Sequence, residues 1–363
     1  MNLPLLTISA RYGWMTQQSR FSASIAGREK KNYTLLKKHQ LSYNHGNSKV
    51  ANYGTVYELT DYDEALVPKV YHSFSLTSEN SSKFIESYFH TKKLDAQLRK
   101  FIASTARMDG LLNISFDDFM KVKLFAPERC EQSKISRIIN LIEKLITLQQ
   151  RKMEQLKQLK KAMLQQLFVN KNNKQPILKF KNFRNNWREY KLSEIVNLED
   201  NKRKPVKATE RIRGKIPYYG ANGIQDYVKG YTHIGKHVLI AEDGANSVDD
   251  YPIYFIYSPS WINNHTHVLT AKEEILSSEF LAYALKKINY AKYLVGSGRY
   301  KLNAEILKLI PLKIPTMNEQ KYIESNLSKI DKLIALQQNK LTQLTALKKY
   351  LLQKLSSKKR YQC

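Results

Sequence analysis

Between residues 202 and 215 the chain carries Lys202, Arg203, Lys204, Lys207, Arg211, Arg213 and Lys215 against a single acid, Glu210. Tyr218 and Tyr219 follow at once, and then the turn Gly220-Ala221-Asn222-Gly223. Cations beside aromatic rings and conformationally permissive glycines suit a loop that grips a phosphate backbone. A second basic turn, Arg299-Tyr300-Lys301, comes after Gly296 and Gly298. In the N-terminal part the nearest counterparts are Arg11, Arg20, Lys30, Lys31 and Arg107. Any one of these residues is explained equally well as part of a solvated basic loop. The charge of the whole chain favours a partner: 60 Lys and Arg stand against 32 Asp and Glu, a formal charge of +28 at pH 7. A polyanion fits that excess, nucleic acid first and an anionic membrane surface second.

No catalytic constellation accompanies the charge. The sequence has no G-x-x-x-x-G-K-[ST] loop for a nucleoside triphosphate. Gly296-Ser297-Gly298 lacks the third glycine of a dinucleotide site. Ser258-Pro259-Ser260-Trp261 approaches the [NDS]-P-P-[YFW] turn of amino-methyltransferases but misses the second proline, so it reads as a turn before a strand. Four histidines, His233, His237, His265 and His267, raise a metal hypothesis. Gly235 lies between the first two, and no cysteine stands near to complete a site. The chain is therefore expected to be non-catalytic by itself, with no metal and no cofactor of its own. Its two cysteines, Cys130 and Cys363, make no disulfide framework, which suits a reducing cytoplasm. No signal peptide and no membrane span are expected.

The elements that must position the basic residues are organised by an internal repeat. Residues 127–167 align with residues 315–355 without a gap, at an offset of 188, and 20 of 41 positions are identical. Neither Gly nor Pro occurs from Glu131 to Phe168 or from Glu319 to Ser357, and strong helix formers dominate both stretches. Apolar residues recur at spacings of four and three: Ile142, Ile146, Met153, Leu156, Met163 and Leu167, matched by Ile330, Ile334, Leu341, Leu344, Leu351 and Leu355. Gln149 and Lys160 interrupt the first seam, and Gln337 and Lys348 interrupt the second at the same places. Shared polar interruptions suit two helices packed on each other in one fixed register. Thr316 and Glu319 predict a capping box at the start of the second helix. About 38 residues of helix make a rod of ~57 Å, roughly 17 base pairs of duplex.

This divides the 363 residues into a domain at 1–126, a long helix at 127–170, a second domain at 171–315, a second long helix at 316–357 and a basic tail at 358–363. The expected class is α/β (α+β), two domains separated by two long helices that form an antiparallel coiled coil. In the second domain, strands are predicted at Val238–Ala241, Tyr254–Tyr257 and His267–Leu269. A helix from Ser278 puts Phe280, Leu281, Ala284, Leu285 and Ile288 on one face. Ser82, Phe84, Ile85, Tyr88 and Phe89 form its counterpart in the first domain, so the duplication covers domain and helix together.

Two diverged basic domains, each followed by a similar long helix that opens P-x-x-x-E-Q, resemble the specificity subunits of type I restriction–modification systems. Pro127, Glu131 and Gln132 carry the motif in the first copy, and Pro315, Glu319 and Gln320 in the second. The I-[DE]-K-L-I runs at Ile142–Ile146 and Ile330–Ile334 follow. Tyr218 to Ile224, Glu242-Asp243-Gly244-Ala245 and Asn264-His265 resemble a recurrent class of that family's target-recognition domains. The resemblance implies that each recognition domain reads one half of a split, asymmetric double-stranded DNA target, with the helices as the ruler between the halves. It implies two methyltransferase subunits that use S-adenosylmethionine to methylate adenine at N6. It also implies restriction (motor) subunits using ATP and Mg. The opening of the second domain, Trp187 to Ile195, has no counterpart before Pro4, so the first recognition domain is expected to be shortened at its start. Alternatives from other classes are a specificity partner of a type II fused nuclease and methylase, and a basic coiled-coil scaffold that binds RNA or lipid. If the ruler holds, adding or deleting a whole helical turn changes the gap and leaves the half-sites unchanged.

Overall fold

The computed structural model describes residues 3–21, 33–46, 48, 50–77, 80–103, 111–169, 173–183, 185–296 and 300–355. Contacts divide the chain into two units, residues 1–151 with 338–363 and residues 152–337, so each long helix contributes to both. No helix among the described residues is long and apolar enough to cross a membrane.

In the first unit, β1 (Leu6–Ser9) and β2 (Gly13–Thr16) form a hairpin that runs into α1 (Gln17–Phe21). The strands β3 (Tyr33–Lys37), β4 (Leu41–Asn44), β5 (Thr55–Glu58), β6 (Glu64–Pro68) and β7 (His72–Phe74) follow. β3 pairs with β6, and β4 lies between β5 and β7, all antiparallel. The helices α2 (Ser82–Phe89), α3 (Asp95–Phe101) and α4 (Phe116–Met120) lead to the first long helix, α5 (Arg129–Gln166). Leu41, Tyr43, Val56, Phe84, Ile85, Leu98 and Phe119 form one core with Ile135 and Ile139 of α5. Each such fully buried apolar side chain is worth about 1.5–3 kcal/mol relative to exposure. The core is therefore what fastens the domain to its long helix.

In the second unit, β8 (Arg188–Lys191), α6 (Leu192–Ile195) and β9 (Val196–Leu198) precede the hairpin of β10 (Arg213–Gly220) and β11 (Gly223–Val228). Gly223 turns that hairpin at φ +102°, a region that favours glycine. Then come β12 (His237–Ala241), β13 (Ile253–Ile256), β14 (Trp261–Ile262), β15 (Thr266–Ala271), α7 (Ser278–Leu285), α8 (Ala304–Leu309), β16 (Pro311–Ile314) and the second long helix, α9 (Met317–Leu355). One antiparallel sheet has the order β13-β12-β15-β9, a second has β11-β10-β14, and β16 pairs with β8. Within these sheets only β10 with β14 is parallel, which places the unit on the α+β side of the expected class. All five residues of β12 are buried, as a strand covered on both faces requires. Phe280, Leu281, Ala284 and Leu285 turn the buried face of α7 to that sheet and meet Leu167, Phe168, Ile323 and Leu327 of the long-helix segments.

Along α5, Ile142, Ile146, Gln149, Met153, Leu156, Lys160 and Met163, and Leu167 just past its end, are buried or half-buried, and most residues between them are exposed. Along α9 the same holds for Ile330, Ile334, Gln337, Leu341, Leu344, Lys348 and Leu351, while the side chain of Leu355 lies outside the described residues. The expected capping box is replaced. The Glu319 carboxylate accepts from Trp187 Nε1 at 3.3 Å instead of turning back to Thr316, and burial raises its pKa. Gln320 and Gln132 occupy the conspicuous places at the two helix starts. Gln320 Nε2 donates to the carbonyls of Ile275 and Pro315, and its Oε1 accepts from Ser277 N. Gln132 does the same with Pro127, Asn80 and Ser81. Ser81 caps α2 and Ser277 precedes α7, so each glutamine ties a domain helix to the start of a long helix.

Candidate nucleic-acid interface

The basic segment before β10 is a loop of two short 3₁₀ turns, held rigid from inside. Trp261 Nε1 donates to the Lys204 carbonyl at 2.7 Å, and Lys204 N donates to the Ile262 carbonyl. Val206 is gripped twice: its N–H donates to Tyr218 Oη at 3.0 Å, and its carbonyl accepts from Arg211 Nε at 3.1 Å. The Arg211 guanidinium stacks on the Tyr218 ring at 4.1 Å and meets Asp226 at 3.4 Å. Tyr218 is only 1% exposed. Sequence type alone grouped Tyr218 and Arg211 with the phosphate contacts, whereas their geometry makes them braces of the loop.

Arg203 is also turned inward. Its guanidinium meets Glu242 at 2.6 Å and Asp200 at 3.3 Å and donates to the Thr266 carbonyl. His267 joins the knot, with Nδ1 facing Asp200 at 2.6 Å and Nε2 donating to the Leu302 carbonyl. Asp200, Glu242 and His267 have the donor types of a cation site, but the guanidinium already supplies the counter-charge and both carboxylates are committed to it. Lys301 approaches Glu242 at 3.5 Å from outside. His233 and His237 pack edge to face, 5.5 Å apart, and bond to the Glu199 and Ile234 carbonyls through Nε2. Burial lowers the pKa of His233. His265 lies 3.6 Å from Asp243.

The remaining cations point outward. Lys202, Lys204, Lys207, Arg213 and Lys215 are exposed, with Lys202 paired to Glu199. Lys215 stands in the irregular stretch of β10 between Arg213 and Ile216, which both face Val228, and Tyr227, opposite Pro217, presents an exposed ring on the neighbouring strand. Tyr219 is half-buried against Tyr254, and burial raises its pKa. Asn222 is exposed at the hairpin tip, yet its amide is spent on the next loop: Nδ2 donates to the Gly244 carbonyl and Oδ1 accepts from Asn246 N, each at 2.9 Å. Tyr300 is exposed. In the first unit, Arg11 is exposed at the β1–β2 turn against Tyr12, whereas Arg20 Nη1 donates to the Ile8 carbonyl at 2.6 Å. Lys30, Lys31, Arg107 and Arg299 lie outside the described residues. The rigid loop and hairpin of the second unit thus present cations and a tyrosine on a fixed frame, an arrangement suited to phosphate positioning beside base contact.

Sequence reasoning did not single out the leucines on the long helices that face away from the seams. Leu145, Leu148 and Leu159 on α5, and Leu333, Leu336 and Leu347 on α9, are 44–59% exposed. They occupy equivalent positions 188 residues apart, and all three pairs are identical.

Residues 184–346 match the family described as the type I restriction modification DNA specificity domain. A putative type I restriction enzyme specificity subunit of Haemophilus influenzae is 46% identical over 145 residues, 40% of this chain and 37% of that one. The MjaVIII specificity subunit of Methanocaldococcus jannaschii is 23% identical over 280 residues, 69% of this chain and 64% of that one. The matched stretches therefore span less than two thirds of these relatives' own lengths. The fold is similar to the crystal structure of a type I restriction-modification system S subunit from M. genitalium, with a TM-score of 0.67 and 18% identity over 91% of this chain and 85% of that one. The chain thus resembles type I restriction–modification specificity subunits, with the family match confined to residues 184–346.

Proposed function

We propose that the chain is the sequence-reading subunit of a type I restriction–modification complex acting on double-stranded DNA in the cytoplasm. Two recognition domains, one in each unit, each read one half of a split, asymmetric target. The long helices of the repeat pair as an antiparallel coiled coil that sets the gap between the halves. Two methyltransferase subunits dock on the helices and use S-adenosylmethionine to methylate adenine at N6. Motor subunits use ATP and Mg to cleave unmodified DNA. This chain supplies the address and no catalytic group.

One observation carries the reading. Exposed leucines recur at equivalent positions of both helices, Leu145, Leu148 and Leu159 matching Leu333, Leu336 and Leu347. Two equivalent apolar faces suit two copies of one partner, because each copy needs the same complementary surface. The outward cations of the β10 region supply the nucleic-acid contacts.

Selection from a random duplex library by the chain together with its methyltransferase subunit tests this. Two short fixed sequences at one gap are expected. Enrichment without sequence preference, or equal retention of RNA, overturns the proposal.

A further inference from the structure

We infer that two ion pairs, Lys160–Asp331 and Glu143–Lys348, key the antiparallel register of the long helices and hold each recognition domain at its place along them. The effect on DNA spacing rests on the function proposed above; the register itself does not. In the second unit, Lys160 Nζ of α5 meets Asp331 Oδ1 of α9 at 2.5 Å. In the first unit, Lys348 Nζ of α9 meets Glu143 Oε1 of α5 at 2.8 Å. Glu143 and Asp331 are equivalent in the repeat, and so are Lys160 and Lys348. The acid of each copy therefore meets the lysine of the other. The residue numbers of each pair add to 491, which is one antiparallel register expressed in both units.

The sequence penalises the alternatives. A slip of one heptad in one direction sets Glu143 opposite Leu355 and Lys160 opposite Gln338; in the other direction Lys160 gains Glu324, but Glu143, Asp331 and Lys348 fall opposite Leu341, Met153 and Ser136 and lose their partners. A parallel arrangement brings Lys160 to Lys348 and Glu143 to Asp331, like charge against like. All four side chains are only 20–39% exposed, so a mispaired charge would sit largely out of water. Burial alone would raise the Glu143 carboxyl, but the Lys348 ammonium, helped by Lys83, holds it below the usual range.

Each acid also touches the domain helix of its own unit. Lys83 of α2 lies 3.9 Å from Glu143, and Tyr283 of α7 donates its hydroxyl hydrogen to Asp331 at 2.8 Å. The same two carboxylates thus join helix to helix and domain to helix, which makes these four residues positioning residues. Gln149 and Gln337, also equivalent, add buried Oε1 atoms without a hydrogen-bond partner to the seam. Polar seam residues of this kind trade stability for register.

Charge exchange in the full chain tests the inference. K160E and D331K are each expected to lower the melting temperature by about 2–4 °C, the effect of ~1 kcal/mol in a unit of this size. The exchanged pair K160E/D331K should recover at least half of the combined loss, whereas K160E with E143K should recover none. With the methyltransferase subunit present, single reversals should spread methylation to duplexes whose gap differs by one base pair, and the exchanged pair should restrict it again. A generic loss of stability would not redistribute gaps. Simple addition of the two losses in K160E/D331K overturns the register keys, even if methylation keeps one gap. Recovery in melting with no methylated duplex at any gap overturns the proposed function and leaves the keys standing.

Discussion

Replacing Gln320 by leucine keeps the bulk of the side chain and removes all of its polar atoms. Gln320 is 0% exposed. Its amide satisfies the carbonyls of Ile275 and Pro315 and the N–H of Ser277, each at 2.9 Å. A stranded buried polar group costs about 1–3 kcal/mol, with carbonyls easier to re-satisfy than an N–H. Counting the Ser277 N–H and one carbonyl as fully stranded gives a loss of about 3 kcal/mol. A unit of residues 152–337 loses about 2–4 °C per kcal/mol, so the melting temperature should fall by about 6–12 °C. Gln132→Leu should act similarly on the first unit. Gln338→Leu, at an exposed position of the same helix, is the control and should move the midpoint by less than about 2 °C. Scanning calorimetry of the three variants provides the comparison. A Gln320→Leu midpoint no lower than that of Gln338→Leu would refute the claim that this residue latches α7 to α9.

Three further outcomes follow from other parts of the structure. Arg213→Ala and Lys215→Ala should each reduce the salt dependence of duplex binding by about one ion without loss of thermal stability; an unchanged salt slope in both variants would remove β10 from the interface. Leu145→Asp and Leu333→Asp should each abolish capture of one methyltransferase subunit and leave the melting temperature within about 2 °C, since both leucines are exposed; native mass spectrometry with two subunits still bound would contradict the docking faces. Burial, helped by Lys348, pushes His90 down to about 4. Below its ordinary pKa of about 6.5 the unfolded chain takes up a proton that the folded chain refuses, so stability falls as pH drops from about 6.5 to about 4, by at most ~3 kcal/mol. Urea midpoints of the native chain and His90→Gln should diverge between pH 7 and pH 5, and parallel curves would rule out that contribution.

The long helices were legible because their signal is local: an unbroken run without Gly or Pro, with apolar spacings of four and three. The β12, β13 and β15 strands were found within a few residues of their ends for the same reason, as short apolar runs between turns. The basic segment was legible as composition and not as geometry. Arg203 looks like any loop arginine until Glu242, 39 residues on, is seen to hold it. Tyr218 looks exposed beside its cations until Val206 closes over its hydroxyl. The capping box failed because a partner 132 residues away, Trp187, took the Glu319 carboxylate. Such long-range competition leaves no mark in a local pattern. The latch glutamines stood in the sequence as the end of the P-x-x-x-E-Q motif, but their buried partners, Ser81 and Ser277 among them, did not. The outward leucines are identical in both copies yet lie off the seam, and identity without a core role was the signal that could have marked them as a shared face.

The central claim is that two domains read two half-sites while the paired helices set the distance between them. It is tested most directly by mapping N6-methyladenine in cells that express the methyltransferase subunit with either the native chain or a chain lengthened by one heptad in both α5 and α9. Seven residues add about 10.5 Å, or roughly 3 base pairs. A split motif with one gap is expected for the native chain, and the same half-sites with a gap about 3 base pairs longer for the lengthened chain. Altered half-sites with an unaltered gap would contradict it.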